Sequence, residues 1–426
     1  MIRGLVNVFS APLLSSLVAL LLFTQACHTP RPAVHSRFDV RSFGATGDGT
    51  TKDTVAFQKA LDACAARGGD VVVPPGTYLI GSLVMVSHTT LRLEKGAKLL
   101  GSPDKEDYPL MQVRWEGRLR QGHRGLIYAS GASHIAIVGE GDIEGNAALG
   151  NLRNPRGPCI FEPMECRDIL LEGFSTRYVR MWAIHPTFCE RIVARNLHIR
   201  STRSNGDGID VDSCRNVRIE HCDIDTGDDA IVLKSGRGTE GAKIGRPTED
   251  VWISDCTLGS SFAGFAIGSE MSGGIRNVHI ERCLFTHGAN SIFIKSRVGR
   301  GGYIENVNGK DLECRANTFL FIDLVARGIQ DEEPVPGAEG IAQVRGIRFS
   351  NIKADVPTFI DAHLTSPEKP IEGLFISDVT GTCRRALNLA NIHGGALSNI
   401  NLSGYTNPFL TVTNVTGIAI DKIKGP

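Results

Sequence analysis

CRNVRIEHC, residues 214–222, sets Val217 and Ile219 in alternation with Arg218 and Glu220 between two cysteines. A period of two sends the apolar residues to one face of a strand and the charges to the other. The pattern recurs as CRDILLEGF from Cys166, CERIVARNL from Cys189, TEDVWISDC from Thr248 and IRNVHIERC from Ile275. It continues as VRGIRFSNI from Val344, IEGLFISDV from Ile371 and LSNINLSGY from Leu397. A second strand follows in several copies, as AIVLKS from Ala230 and SIFIKS from Ser291, after a Gly- or Asp-rich turn. Most spacings lie in the twenties, with longer intervals before Thr248 and Val344, which fits coils of a parallel β-helix carrying loops inserted at one turn. Stacked coils lie about 4.8 Å apart, so residues at one repeat position form a column.

Composition agrees with an all-β solenoid. The 426 residues include 48 glycines and only 6% aromatics, which favours many turns and small or β-branched packing over a helical bundle. TKDTVAFQKALDACAAR, from Thr51, places Phe57, Leu61, Cys64 and Ala65 on one helical face and stops at Gly68 and Gly69. One amphipathic helix before the first coil is expected to cover the open apolar end of the solenoid. Lys plus Arg and Asp plus Glu both number 46, so no global field selects nucleic acid or an anionic membrane, and an acidic substrate must be met by a local cluster.

The N-terminus carries Arg3, an apolar run from Ala11 to Phe23, and then Thr24-Gln25-Ala26-Cys27. Residues 1–27 read as a signal peptide, either ordinarily cleaved or of the lipoprotein type with a lipid anchor at Cys27. Residues 28–36, HTPRPAVHS, suit a linker, and 37–426 make up the solenoid. The expected location is outside the cytoplasm: periplasmic, outer-membrane-anchored or extracellular. Cys166, Cys189 and Cys214 share one repeat position, and Cys222, Cys256 and Cys283 another, so an interior ladder of free thiols is expected, with one or two disulfides as the alternative.

The chemistry sits in the second strands. DGIDVDS (207–213), DAIVLKS (229–235), AGFAIGS (263–269) and NSIFIKS (290–296) align over one another. That register puts Asp207 and Asp229 in one column on adjacent coils, with Asp228 beside them. Crowded carboxylates resist joint ionisation, so one holds its proton to higher pH, as general acid catalysis of glycoside hydrolysis needs. Turn caps or a calcium site are the plain alternative for such aspartates. No nucleotide, haem or zinc motif stands out, and no cofactor is expected.

These residues resemble glycoside hydrolase family 28, the polygalacturonases and rhamnogalacturonan hydrolases. The likeness runs through FDVRSFGATGDGTTKDTVAFQKALDAC, GGDVVVPPGTYLIGSLVM, WAIHPTFC, NGDGIDVDSC, DTGDDAIVLKSG, IGSEMSGGIRNV and IKSRVGRGGYIENV. It implies a single-stranded right-handed parallel β-helix, the pectin-lyase-like solenoid, and an inverting mechanism in which Asp228 is the acid while Asp207 and Asp229 activate water. The family's Asn-Thr-Asp stands here as Asn205-Gly206-Asp207, its Gly-His-Gly as Ser261-Phe262-Ala263 and its Arg-Ile-Lys as Phe293-Ile294-Lys295. Phe293 cannot pair bidentately with a carboxylate, so ordinary homogalacturonan hydrolysis is in question; a rhamnose-containing bond is one expectation, and a galacturonate bond recognised by other cations, Lys234, Lys295, Arg237, Arg297 and Arg300, is its rival. Asn205, Lys295, Lys234, Arg297, Arg300 and Glu270 are the expected substrate-binding residues, with Arg237 near them; ordinary surface charge is the plain reading of these cations. His185, placed two coils before the carboxylates, could serve substrate or structure. The expected partner is a pectic polysaccharide or oligosaccharide bound by a monomer. A polysaccharide lyase and a non-catalytic carbohydrate-binding β-helix are the rival functions.

Overall fold

The computed structural model describes residues 36–150, 152, 154–179, 181–326, 331–406 and 408–424. The signal segment, including Cys27, and all of the linker but Ser36 lie outside the described residues. Apart from one hairpin, the strands pair in parallel with their counterparts in neighbouring coils, as a right-handed parallel β-helix requires.

Each central coil holds three strands, the two named from the sequence and a short one between them. One example is Arg215–Glu220, then Asp223–Thr226, then Ile231–Lys234. The short middle strand alternates over too few residues to stand out by period. Stacking these strands gives three sheets. Interior columns of the first sheet are nearly all aliphatic: Ile169, Ile192, Val217, Val251 and Val278 lie in successive register. The sheet also has one left-handed position per coil, at Asp168, Arg191, Asn216, Asp250 and Asn277, with φ of 55–57°. Asn and Asp tolerate that conformation, which explains their recurrence there.

Two repeat assignments change. A complete coil starts at Ile304, in register with Ile275 before it and Val344 after it, so the long interval before Val344 is not merely a loop. Its pattern is concealed because Gly309 stands where the interior aliphatic belongs; a Cβ there would fall 2.4 Å from the Phe349 ring, so glycine admits that large side chain. The copy read at Leu397 begins at Ile392, the partner of Ile371, and a further copy follows it at Val415. The interval before Thr248 does contain an insertion, with a short helix at Gly238–Ile244.

The predicted capping helix is present as Thr54–Ala65, and buries Ala56, Phe57, Ala60, Leu61 and Cys64 against the first coils. The ten described cysteines are all buried and free. The ladders form as expected: the Cys166 N–H donates to Cys189 Sγ at 3.4 Å, and the Cys189 N–H to Cys214 Sγ at 3.2 Å. Toward the C-terminal half the core becomes aromatic, with Phe319 stacked on Phe359 at 5.1 Å and edge-on to Phe349 at 5.5 Å. Phe319 is fully buried, so Phe319→Ala is expected to cost about 3–5 kcal/mol, read as a lower midpoint in denaturant unfolding; a cost under about 1 kcal/mol would contradict this packing.

Candidate active site

The third sheet sets the register of the site. Ile209 pairs with Ile231, Ile231 with Phe265, and Phe265 with Ile292, so the four strands align as the sequence predicts. The Gly208 N–H donates to the Asp229 carbonyl, which seats Asp207 beside Asp229 at the entry to adjacent strands. Asp228 occupies the turn just before. Its carbonyl accepts from Thr226 Oγ1 at 2.7 Å and from Ser260 Oγ, while its carboxylate accepts the Asn205 and Asp229 N–H groups, each at 3.0 Å. Gly227 is needed in that turn, because a Cβ would lie 2.3 Å from the Arg203 carbonyl of the preceding coil. One oxygen from each of Asp207, Asp228 and Asp229 lies within 4.8 Å of the others.

The three acids differ in setting. Asp207 and Asp229 are buried, whereas Asp228 is half-buried and closest to solvent. Burial raises the Asp207 carboxyl well above its ordinary range, aided by Asp210 and Asp228 and opposed by Lys234. Burial also raises Asp229, although Lys295, whose Nζ lies 2.7 Å from Asp229 Oδ2, and Lys234 pull it back. Asp207 retains an oxygen without a hydrogen-bond partner.

Asp210 was not singled out by the sequence reading. It sits fully buried three residues beyond Asp207, and both of its carboxyl oxygens lack a hydrogen-bond partner. Burial pushes it well upward despite Lys234, whose Nζ is 3.6 Å away. The signal was present in the second Asp of NGDGID, but only the register with Val232 shows it facing the groove side with Asp207's charge.

The predicted cations divide. Lys234 binds Glu270 at 3.2 Å and lies 4.7 Å over the Trp182 ring; burial opposes its charge, but Glu270 and Asp210 outweigh that and raise it well above normal. Burial likewise opposes the charge of Glu270, yet Lys234 and Arg300 hold its carboxyl below the usual range. Arg300 pairs with Glu332 at 3.1 Å and with Ser269, and Arg237 with Glu116, Asp331 and Glu332. These pairs tie the hairpin strands Leu110–Trp115 and Arg118–His123 to the insertions at the carboxyl ends of the third-sheet strands, and Arg114 reaches Asp212 at 3.0 Å. Arg297 acts on Asp323 rather than on the three acids. His185 lies one coil before Asp207, not two, since Ile184 bridges to Ile209; it is fully buried against Trp182 at 4.6 Å. Burial first, then Arg156 and Lys234, push its imidazole well below the ordinary value, so it is neutral and structural. Beyond Asp229 the wall is aromatic: Phe293 is edge-on to Phe262 at 5.6 Å and stacked on Phe321 at 4.9 Å, with Lys295 Nζ 4.7 Å over the Phe262 ring.

Residues 70–396 match the model of glycosyl hydrolases family 28. A probable polygalacturonase of Vitis vinifera is 33% identical over 359 residues, covering 79% of this chain and 72% of that protein. An exo-poly-alpha-D-galacturonosidase of Dickeya chrysanthemi is 27% identical, covering 64% of this chain and 54% of its own. The crystal structure of a hyperthermoactive exopolygalacturonase from Thermotoga maritima superposes with a TM-score of 0.72 at 25% identity, covering 91% of this chain and 92% of that one.

Raised carboxyls weaken the fold as they ionise. The native values for Asp207, Asp210 and Asp229 exceed unfolded ones, so their stabilising contribution is complete at low pH and disappears as pH rises through the native values. Asp207→Asn should therefore melt a few degrees above the wild type at pH 7 and by less at pH 4, followed by thermal unfolding. A substitution that lowers the melting temperature more at pH 7 than at pH 4 would contradict the raised values.

Proposed function

Because the chain belongs to glycosyl hydrolase family 28, we propose that it is an exported hydrolase of pectic polymers that works by inversion through Asp207, Asp228 and Asp229. Residues 1–27 would direct export, 28–36 would tether, and 37–426 would carry the activity. The observation that carries the reading is the convergence of the three carboxylates, on adjacent coils, with unequal burial. Asp228, nearest solvent and oriented by two main-chain N–H groups, takes the role of the acid that protonates the leaving oxygen, an assignment that comes from the family pattern and not from these hydrogen bonds. Asp207 and Asp229 hold and deprotonate the attacking water, with Lys295 drawing the raised Asp229 carboxyl back toward its charged form. Inverting enzymes typically keep acid and base roughly 6.5–9.5 Å apart to admit that water. The nearest oxygens here come within 4.8 Å, so the inverting assignment rests on the family pattern and not on the spacing.

The substrate reading rests on which charges are already satisfied. Lys234, Lys295, Arg237 and Arg300 all have carboxylate partners, and an aromatic wall of Phe262, Phe293 and Phe321 flanks Asp229 and Lys295. A uronate placed there would compete for committed cations, whereas a deoxy sugar would set its methyl face against the rings. Rhamnogalacturonan is therefore the favoured polymer.

Asp228→Asn should lower turnover by about 10²–10⁴-fold, with rhamnogalacturonan yielding saturated reducing ends in the wild type and homogalacturonan far fewer. Unsaturated uronate in the products would sink the hydrolase in favour of elimination, and efficient homogalacturonan cleavage would sink the substrate assignment. A second expectation concerns pH. Without Lys295 the Asp229 carboxyl rises further, so Lys295→Met should move the acidic limb of the kcat profile to higher pH. An unmoved limb would show that Asp229 is not the group that must be ionised.

A further inference from the structure

The outer face of the first sheet carries a second column of chemistry-bearing residues, on a different sheet from the carboxylates. Arg218, Trp252, His279, Asn308, Arg348 and Phe375 stand in continuous register, one per coil. The run spans roughly 24 Å at one strand spacing per step. Trp252 and His279 are stacked at 5.1 Å with planes 9° apart, and the Arg218 guanidinium lies 5.7 Å from the Trp252 ring. Further along, the Arg348 guanidinium lies 4.0 Å over Phe375.

Two surface grooves use this column as their floor. One, of about 810 Å³, is lined by Arg218 and Trp252; the other, of about 390 Å³, by His279, Asn308, Arg348 and Phe375. The charges differ from their neighbours'. Arg191 and Arg195 on the same sheet are tied bidentately to Asp168 and Glu172, whereas Arg218 meets Glu220 only at 3.9 Å and Arg348 has no ion pair among the described residues. Trp252 is 38% exposed although a solenoid face could cover it with an aliphatic residue at no cost to the core.

Trp252 and His279 stack on one another while Arg218 and Arg348 lie against the Trp252 and Phe375 rings, so the column holds two guanidinium groups flat with N–H edges that no close carboxylate occupies, which suits the carboxylates of a uronate chain. The column runs along the axis and is as long as several sugar rings. We propose that it is an auxiliary binding surface for an acidic, uronate-bearing polysaccharide chain, separate from the cleft that cuts it. Choosing pectic polymers as the probe rests on the hydrolase reading; the surface itself does not depend on turnover.

The test uses the full chain carrying Asp228→Asn, so that bound polymer is not consumed, and follows its retardation in gels containing rhamnogalacturonan, polygalacturonate or a neutral glucan. Adding Trp252→Ala with Arg348→Ala should weaken binding to the two acidic polymers about tenfold, with salt weakening the parent likewise. A parallel variant, Trp252→Phe with Arg348 retained, should keep most of the binding, separating recognition from damage to the fold. Equal retardation with and without the alanine pair, or equal binding to the neutral glucan, would overturn the proposal. Failure of the wild type to hydrolyse pectic polymers, with the binding pattern intact, would instead remove the catalytic reading and leave this surface standing.

Discussion

Everything in this molecule depends on parallel register between coils one strand spacing apart. At about 4.8 Å a residue has its counterparts on the previous and next coils as nearest neighbours, so a sequence separation of 22 residues, Asp207 to Asp229, becomes a contact. The same constraint produces the thiol ladders, the aliphatic columns of the interior and the mixed column on the first sheet. It also leaves the protein little freedom: shifting one strand by a single residue would turn Asp210 and Asp212 inward and Val211 out.

The site concentrates charge where burial opposes it. Asp207, Asp210, Asp229, Lys234 and Glu270 are all buried; Lys234 pairs with Asp210 and Glu270, Lys295 with Asp229, and the Arg114, Arg237 and Arg300 contacts bind the hairpin and insertions to the sheet edge, while Asp207 stands outside these ion pairs. Such networks hold together only while complete, because removing one partner strands another charge in a region of low polarisability. A carboxyl held above its ordinary range is a poorer contributor to stability and a better store of a proton. Stability given up here is consistent with a site shaped for proton transfer rather than for the fold.

Much of this was legible in the sequence where the repeat was regular. The alignment of residues 207–213, 229–235, 263–269 and 290–296 matches the observed pairing residue for residue, because alternation with a fixed interval leaves only one register that buries the aliphatics. The coil at Ile304 escaped notice because Gly309 interrupts the alternation to admit Phe349, and the copy that starts at Ile392 was displaced to Leu397 because small residues Gly394, Gly395 and Ala396 blur its start. Asp210 escaped because only its register with Val232 shows which side of the strand it takes, whereas the pairing of Glu270 with a neighbouring cation was one of two readings open in the sequence, and Lys234, 36 residues earlier and across a helical insertion, is that cation.

The account's central claim is that these carboxylates direct a single displacement by water, and the configuration of the first product tests it most directly. Proton NMR during the first minutes of wild-type hydrolysis, before mutarotation, should show the new reducing end with the anomeric configuration opposite to that of the cleaved bond. Retained configuration would require a covalent intermediate on one aspartate and would contradict the roles given to Asp207, Asp228 and Asp229.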